Sequence, residues 1–251
     1  MPHHYVMGKL RFFIFGDTHL PFHHRVALAI AIKRCIEYRP DVIIQAGDLH
    51  DRYSASKFSR SLNLMTPRDE RNHANYYAQL LWGTLNEFLP AAQKYQILGN
   101  HCIRPIKRIL DKAPEFEDEL TEKLHEDYTF DFVKTIYDPS EELDLDGVRF
   151  IHGYMQNGTH INHNLMNIVC GHTHQGGVWM KRIHGNIIWE LNAGYLADPN
   201  HKALSYTMQK KEKKWTLGYG TIDMDGPRFC PITDQMIRSE FTDPITKKFI
   251  F

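Results

Sequence analysis

Three short apolar runs, residues 10–16, 42–47 and 95–99, each end in a glycine followed directly by Asp17, Asp48 or Asn100. Runs of this length, rich in Phe, Ile and Val and without polar alternation, read as strands buried on both faces. Between the first two, Leu28, Ile32, Cys35 and Ile36 recur at helical spacing over 25–38, and Arg39-Pro40 ends the segment. Between the second and third, Ala74, Tyr77, Ala78, Leu81, Leu85 and Phe88 predict a helix over 72–89. The order β, α, β, α, β with crossovers this long predicts parallel pairing in an α/β fold, a sheet covered by helices. Such sheets place ligands beyond the carboxyl ends of their strands, which is where the two Asp and the Asn fall.

The second half has a different rhythm. Residues 104–126 are charged and read as helix, and strand-like pieces then crowd together at 147–152, 166–170, 177–183, 186–192, 204–209 and 215–223. Turns at His184-Gly185-Asn186 and at the lysine-rich run 210–214 predict hairpins, hence a mixed or antiparallel second sheet, with the lysines at a solvated tip. From Asp225 onward, Gly and Pro residues and lost periodicity predict one domain over 1–225 and an irregular C-terminal tail over 226–251.

Composition narrows the function classes. The 30 Lys and Arg balance the 30 Asp and Glu, so nucleic acid or an anionic membrane would have to be met by a local patch rather than by the whole molecule. No stretch of 18 apolar residues exists and the first residues lack a secretory pattern, which leads to the expectation of a cytoplasmic protein without a membrane partner. The four cysteines form no CxxC pair and read as reduced thiols. Histidine stands out, with 16 residues, several of them inside Asp- and Gly-containing clusters.

Five clusters fall at or just after predicted strand ends: Asp17-Thr18-His19, Gly47-Asp48-Leu49-His50-Asp51-Arg52, Gly99-Asn100-His101-Cys102, Ile151-His152-Gly153 and Gly171-His172-Thr173-His174. Singly, each is a turn or a structural histidine. Together they supply carboxylate, amide oxygen and imidazole, the donor set that suits borderline divalent metals.

The order DxH, GDxxDR, GNH, H and GHTH resembles the signature of the calcineurin-like metallophosphoesterase superfamily over residues 11–196, including the Asn192-Ala193-Gly194-Tyr195 turn. The resemblance implies a two-layer mixed β-sandwich flanked by helices. It also implies two divalent ions, Mn²⁺ first and Fe, Zn, Ni or Co as alternatives. Asp17, His19 and His174 would hold one ion, Asn100, His152 and His172 the other, and Asp48 would bridge them. The implied reaction is attack of a metal-bridging hydroxide on phosphorus. His101 would protonate the leaving oxygen, Asp51 would orient His101, and Arg52 would contact phosphate. Cys102 departs from the acidic residue common at that position, without loss of a ligand.

His50 and Arg104 are candidate substrate contacts, with Lys57, Arg60, Arg68, Arg71, Lys107 and Arg108 as a wider basic rim. His160 and His163 read as structural or surface residues. Segments 51–58 and 99–115 are also similar to small phosphoesterases common in bacteriophage genomes, which directs the expected substrate toward a nucleotide, DNA or RNA phosphoester. A phosphoprotein (Ser/Thr) phosphatase is the enzymatic alternative, and a non-catalytic metal-binding scaffold the third reading.

Overall fold

The computed structural model describes residues 10–57, 65–207 and 214–240. The first sheet is built as the apolar runs predict. Strand β1 (Phe12–Phe15) is followed by helix α1 (Arg25–Tyr38), β2 (Val42–Gln45), α2 (Pro67–Phe88) and β3 (Gln93–Ile97), with β1, β2 and β3 paired in parallel. Helices α3 (Arg104–Leu110) and α4 (Glu117–Tyr128) then lead to a short parallel strand β4 (Lys134–Ile136). The predicted single helix over 104–126 is broken because Pro114 opens a 3₁₀ turn at Pro114–Phe116 between the two. Helix α2 begins earlier than its apolar face suggested. Thr66 caps it by accepting from the Asp69 N–H, Pro67 sits in its first turn, and Asp69 and Glu70 face the positive end of the helix dipole.

The second sheet holds β5 (Leu143–Leu145), β6 (Val148–Phe150), β7 (Asn167–Cys170), β8 (Gly177–Ile183) and β9 (Asn186–Asn192) in the order β5-β6-β7-β9-β8, with the short helix α5 (His160–Asn164) before β7. The chain then returns to the first sheet as β10 (Gly218–Asp223) and β11 (Gly226–Pro231), antiparallel to each other, and completes the order β11-β10-β1-β2-β3-β4. Helix α6 (Asp234–Ser239) packs on α1.

The expectation of an irregular tail from residue 226 is therefore corrected over 226–239. Pro227 and Pro231 read as breakers, yet they lie on an edge strand, where a proline's missing donor costs no ladder bond. The expected strand at 204–209 is also corrected: residues Lys202–Thr207 form a 3₁₀ turn. The lysine-rich hairpin tip lies mostly outside the described residues.

Burial alternation along β1 explains the two layers. Phe12 and Ile14 pack between the sheets with Ile44, Phe150, Val169 and Leu191, while Phe13 and Phe15 face α1, α2 and α4. The Phe12 and Phe150 rings meet across the interlayer at 5.2 Å. Two mixed sheets with helices on the outer face of the first form the sandwich expected from the resemblance. Among the described residues no helix is long and apolar enough to cross a membrane.

Candidate metal centre

The five motifs meet at one edge of the sandwich. Asp17 and His19 leave β1, Asp48 leaves β2, Asn100 and His101 follow β3, His152 follows β6, and His172 and His174 follow β7. All are buried except Asn100 and His172, which are half-buried. In one group, His19 Nε2 lies 3.0 Å from His174 Nε2, which in turn lies 3.0 Å from Asp17 Oδ2. In the other, Asn100 Oδ1 is 3.0 Å from both His152 Nε2 and His172 Nδ1, and His152 Nε2 is 3.3 Å from Asp48 Oδ2. Asp17 and Asp48 also share a cluster with His152, so the two groups are contiguous.

Local backbone forces this convergence. His19, Asp48, His172 and His174 sit at φ of 53°, 49°, 69° and 61°, the left-handed region that costs non-glycine residues on the order of 1 kcal/mol or more each. Hydrogen bonds hold the strained turns. Asp48 O accepts from Thr18 and His19 N–H, the His101 N–H donates to Asp48 Oδ1 at 2.8 Å, and the His172 N–H donates to both Asp17 oxygens. Two glycines make room: a Cβ on Gly99 would overlap Asp48 Oδ1 and one on Gly171 would overlap Asp17 Oδ1.

Sequence reasoning noted Asn192 only as part of a turn, and it does more. Its Nδ2 donates to Gly171 O (2.7 Å) and Thr173 Oγ1 (3.1 Å), and its Oδ1 accepts from the Gly194 N–H, so it pins the GHTH turn to β9. Gln45 likewise holds Gly47 from both sides, accepting from its N–H and donating to its carbonyl. The signal available for both was an amide side chain at a strand end two residues before a glycine.

Second contacts fix the imidazoles. Asp51 Oδ1 accepts from His101 Nδ1 at 2.6 Å and from His19 Nδ1 at 3.1 Å, so one carboxylate orients two rings, where only His101 was expected. His152 Nδ1 donates to Ala46 O at 3.1 Å, which turns Nε2 toward Asp48 and Asn100. Burial would raise the Asp48 carboxyl, but the charges of His152 and His101 outweigh it and hold it well below the ordinary carboxylate range. Asp51 is held low despite burial by its hydrogen bonds from His101 and His19. Burial opposes the His152 imidazolium, yet Asp48 and then Asp17 raise it to about 9. The raised His152 imidazole faces an amide oxygen and two carboxylates, and His19 is raised as well, by Asp51 against the opposing pull of burial. A buried position where acidic oxygens and imidazoles trap a positive charge fits a divalent cation by both donor type and field.

Two expected substrate contacts fall elsewhere. Arg52 Nη2 donates to Asp127 at 2.5 Å and its guanidinium lies against the Tyr128 ring, so it is buried structural charge and not a phosphate contact. His50 is fully buried beside Tyr128 with neither ring nitrogen hydrogen-bonded, and burial and then Arg52 depress it well below its ordinary value. It faces no substrate space. Arg71 is tied to Asp127 as well, and Arg60 lies outside the described residues. Arg104 donates to Asp51 O at 3.1 Å and to His101 Nε2 at 2.5 Å and lines the cleft beside His101.

A separate buried group, His160, Cys170 and Glu190, has metal-like composition. Its donors are already committed. Glu190 accepts from the Gly158 and Ile161 N–H groups and from His160 Nδ1, while His160 Nε2 accepts from the Tyr154 and Met155 N–H groups. It ties down the loop after His152, and burial then Glu190 push the Cys170 thiol well above its ordinary value, away from thiolate chemistry.

A metal-type donor edge on a mixed two-sheet sandwich defines a class of metallohydrolase. The sequence model of the calcineurin-like phosphoesterases matches residues 10–176, and the chain belongs to that family. It is a phosphoester hydrolase family that depends on divalent metal, and the His and Asp groups described could hold such ions. The Gene 54 protein of Mycobacterium phage D29 is 24% identical over 249 residues, covering 88% of this chain and 93% of that protein. Among solved structures, Yfce, a phosphoesterase from E. coli, aligns with a TM-score of 0.39 and 14% identity over 85% of this chain and 88% of its own. A phosphatase from Mycoplasma pneumoniae aligns with a TM-score of 0.34 and 10% identity over 92% and 97%.

Proposed function

We propose that the chain hydrolyses a nucleotide or nucleic-acid phosphoester with two divalent ions. Asp17, His19 and His174 would hold one, Asn100, His152 and His172 the other, and Asp48 would be shared. The observation that carries this reading is the convergence of seven carboxylate, amide and imidazole donors at one sheet edge, with His19 Nε2 and Asp17 Oδ2 each 3.0 Å from His174 Nε2 and His152 Nε2 3.3 Å from Asp48 Oδ2. Bound there, dications supply Lewis acidity at the phosphoryl group and acidify a water.

The chain's own residues then have defined work. Asp51 keeps Nδ1 of His101 protonated and points Nε2 outward, where Arg104 covers it. An incoming phosphate draws the Arg104 guanidinium to itself by paired N–H contacts. That frees Nε2 to take up a proton from solvent, which it then passes to the leaving oxygen. Asp48 holds its anionic form because the His101 N–H and two imidazoles stabilise it.

The test is to strip the protein with chelator, reconstitute it separately with Mn, Fe, Co, Ni and Zn, and count bound metal beside turnover. Nucleoside monophosphates, a phosphodiester, DNA, RNA and a phosphopeptide are compared. Two ions per chain and turnover of nucleotide or nucleic-acid esters are expected, with Asp48→Asn losing at least one ion and about 10²-fold or more in rate. Preference for the phosphopeptide would move the reading to a phosphoprotein phosphatase, and two bound ions without turnover of any ester would leave a scaffold.

A further inference from the structure

Beside His101 opens a cleft of about 740 Å³, lined by Ser56 and Lys57 and by Arg104, Lys107, Arg108 and Lys112. Five of its lining side chains are cationic and one, Asp111, is anionic. The cations at 104, 107, 108 and 112 follow helical i+3 and i+4 spacing along α3 and its exit, so they form one row. At about 1.5 Å per residue the row runs roughly 10 Å away from the centre. Like charges so placed repel, and among the described residues Lys107, Arg108 and Lys112 have no salt bridge to offset it. Within that row, among the described residues, the side chains of Arg104, bonded to Asp51, and Arg108, which donates to Ser56 O at 2.8 Å, are held by hydrogen bonds.

A second groove of about 580 Å³ borders His152 and His172 and shares Asn100 and Lys107 with the first; there Lys107 is matched by Asp138, and Glu142 is paired with Arg149 at 2.5 Å. The excess of cationic side chains around the centre therefore lies on the His101 side. In the reaction proposed above, on which this inference rests, a P–O bond forms to water's oxygen and the P–O bond to the leaving group breaks. The leaving oxygen takes a proton that His101 Nε2 has picked up from solvent once Arg104 has turned to the phosphate. Whatever hangs from that oxygen must then lie in the cationic cleft.

We infer that the leaving alcohol carries at least one further phosphate, seated along Arg104, Lys107, Arg108 and Lys112. The group left on the scissile phosphorus is small or uncharged. A cleft of this size holds a nucleotide-sized leaving group, so the second phosphate belongs either to a small bisphosphorylated nucleoside or to the next linkage of a strand.

The experiment measures kcat/KM of the metal-reconstituted protein on p-nitrophenyl phosphate, adenosine 5′-monophosphate, adenosine 3′,5′-bisphosphate and 5′-phosphorylated oligonucleotides of increasing length, at several salt concentrations. The first added phosphate should raise kcat/KM about tenfold over the monophosphate, mainly through KM, the equivalent of one charge-assisted contact. Each phosphate engaged should add about 0.7 to the logarithmic salt slope. In a Lys107→Gln/Lys112→Gln double variant the ratio between bisphosphate and monophosphate should fall toward one, with circular dichroism reporting that the fold is kept. A gain that stops at the bisphosphate identifies a small nucleotide, and one that grows with length identifies a strand. Equal kcat/KM across the series in a protein that hydrolyses the nitrophenyl ester, or a gain the double variant retains, overturns the inference while leaving the phosphoesterase reading intact. Failure to hydrolyse any of these esters with both ions bound would sink that reading instead.

Discussion

At the residue scale, the centre is governed by which positive charge occupies it. His152 is raised to about 9 by Asp48 and Asp17 against the opposing pull of burial, so at neutral pH the metal-free protein carries a proton there that a cation must displace. Metal uptake between pH 7 and 8 should therefore release close to one proton from this residue, and the apparent affinity should climb with pH and level off near 9. Calorimetric titration in buffers of different ionisation enthalpy measures the release, and His152→Asn should release about one proton fewer. The sign for stability is the reverse: a raised imidazole stabilises the metal-free fold below its unfolded value near 6.5, and that contribution disappears as pH rises through about 9. Unchanged proton release in the variant would show that another group holds the charge.

What the residues revealed in advance follows the same scale. The donors were legible because each pairs a strand end with a glycine or an adjacent turn, a purely local pattern. The destinations of His50 and Arg52 were not, since Arg52 is claimed by Asp127, 75 positions away, and His50 is sealed by Tyr128 on the same helix. Nothing near them in sequence announces that α4 covers them. Asp51 was assigned one partner and has two, because the approach of His19 depends on how β1 and β2 are stacked side by side.

At the element scale, strands buried on both faces announced themselves, and short or edge elements did not. β4 and β5 are three residues each with mixed polarity, and β11 hides behind two prolines. Glycine placement separates site from scaffold within these elements. Gly99→Ala should lower metal affinity by an order of magnitude or more, the cost expected when a ligand's support is displaced, because its Cβ would push Asp48 Oδ1. Gly83→Ala, within α2 and with open space around the new methyl, should instead stabilise by roughly 0.5–1 kcal/mol. Metal titration and urea unfolding of the two variants read the difference, and a Gly99→Ala protein with unaltered metal binding would contradict the crowding argument.

At the scale of the whole molecule, two buried neutral histidines join the depressed carboxylates Asp17, Asp48 and Asp51 in setting the acid limit. His23 is lowered to about 3 by burial and then by Arg25, and His50 is held well below its ordinary value by burial and then Arg52. A depressed imidazole leaves the folded state binding fewer protons than the unfolded one, so stability is complete above about 6.5 and is lost as pH falls from there toward 3. Urea midpoints should decline steadily over that range in metal-free protein. His50→Phe, which keeps a ring against Tyr128 and removes the titration, should flatten the decline. A variant curve parallel to the parent's would assign the acid limit to other groups.

The first donor group also has a schedule. His19 and His174 meet at 3.0 Å although 155 positions separate them, and the pair closes only after both sheets exist. At roughly 5–20 residues per second of synthesis, the early donors wait on the order of 10–30 s for the late ones to be made. During that interval Asp17, His19 and Asp48 can present no more than a partial, weak chelate. In the proposed reading, metal capture therefore waits on the GHTH turn, and a loaded centre would act as a clasp fastened late across an already assembled sandwich.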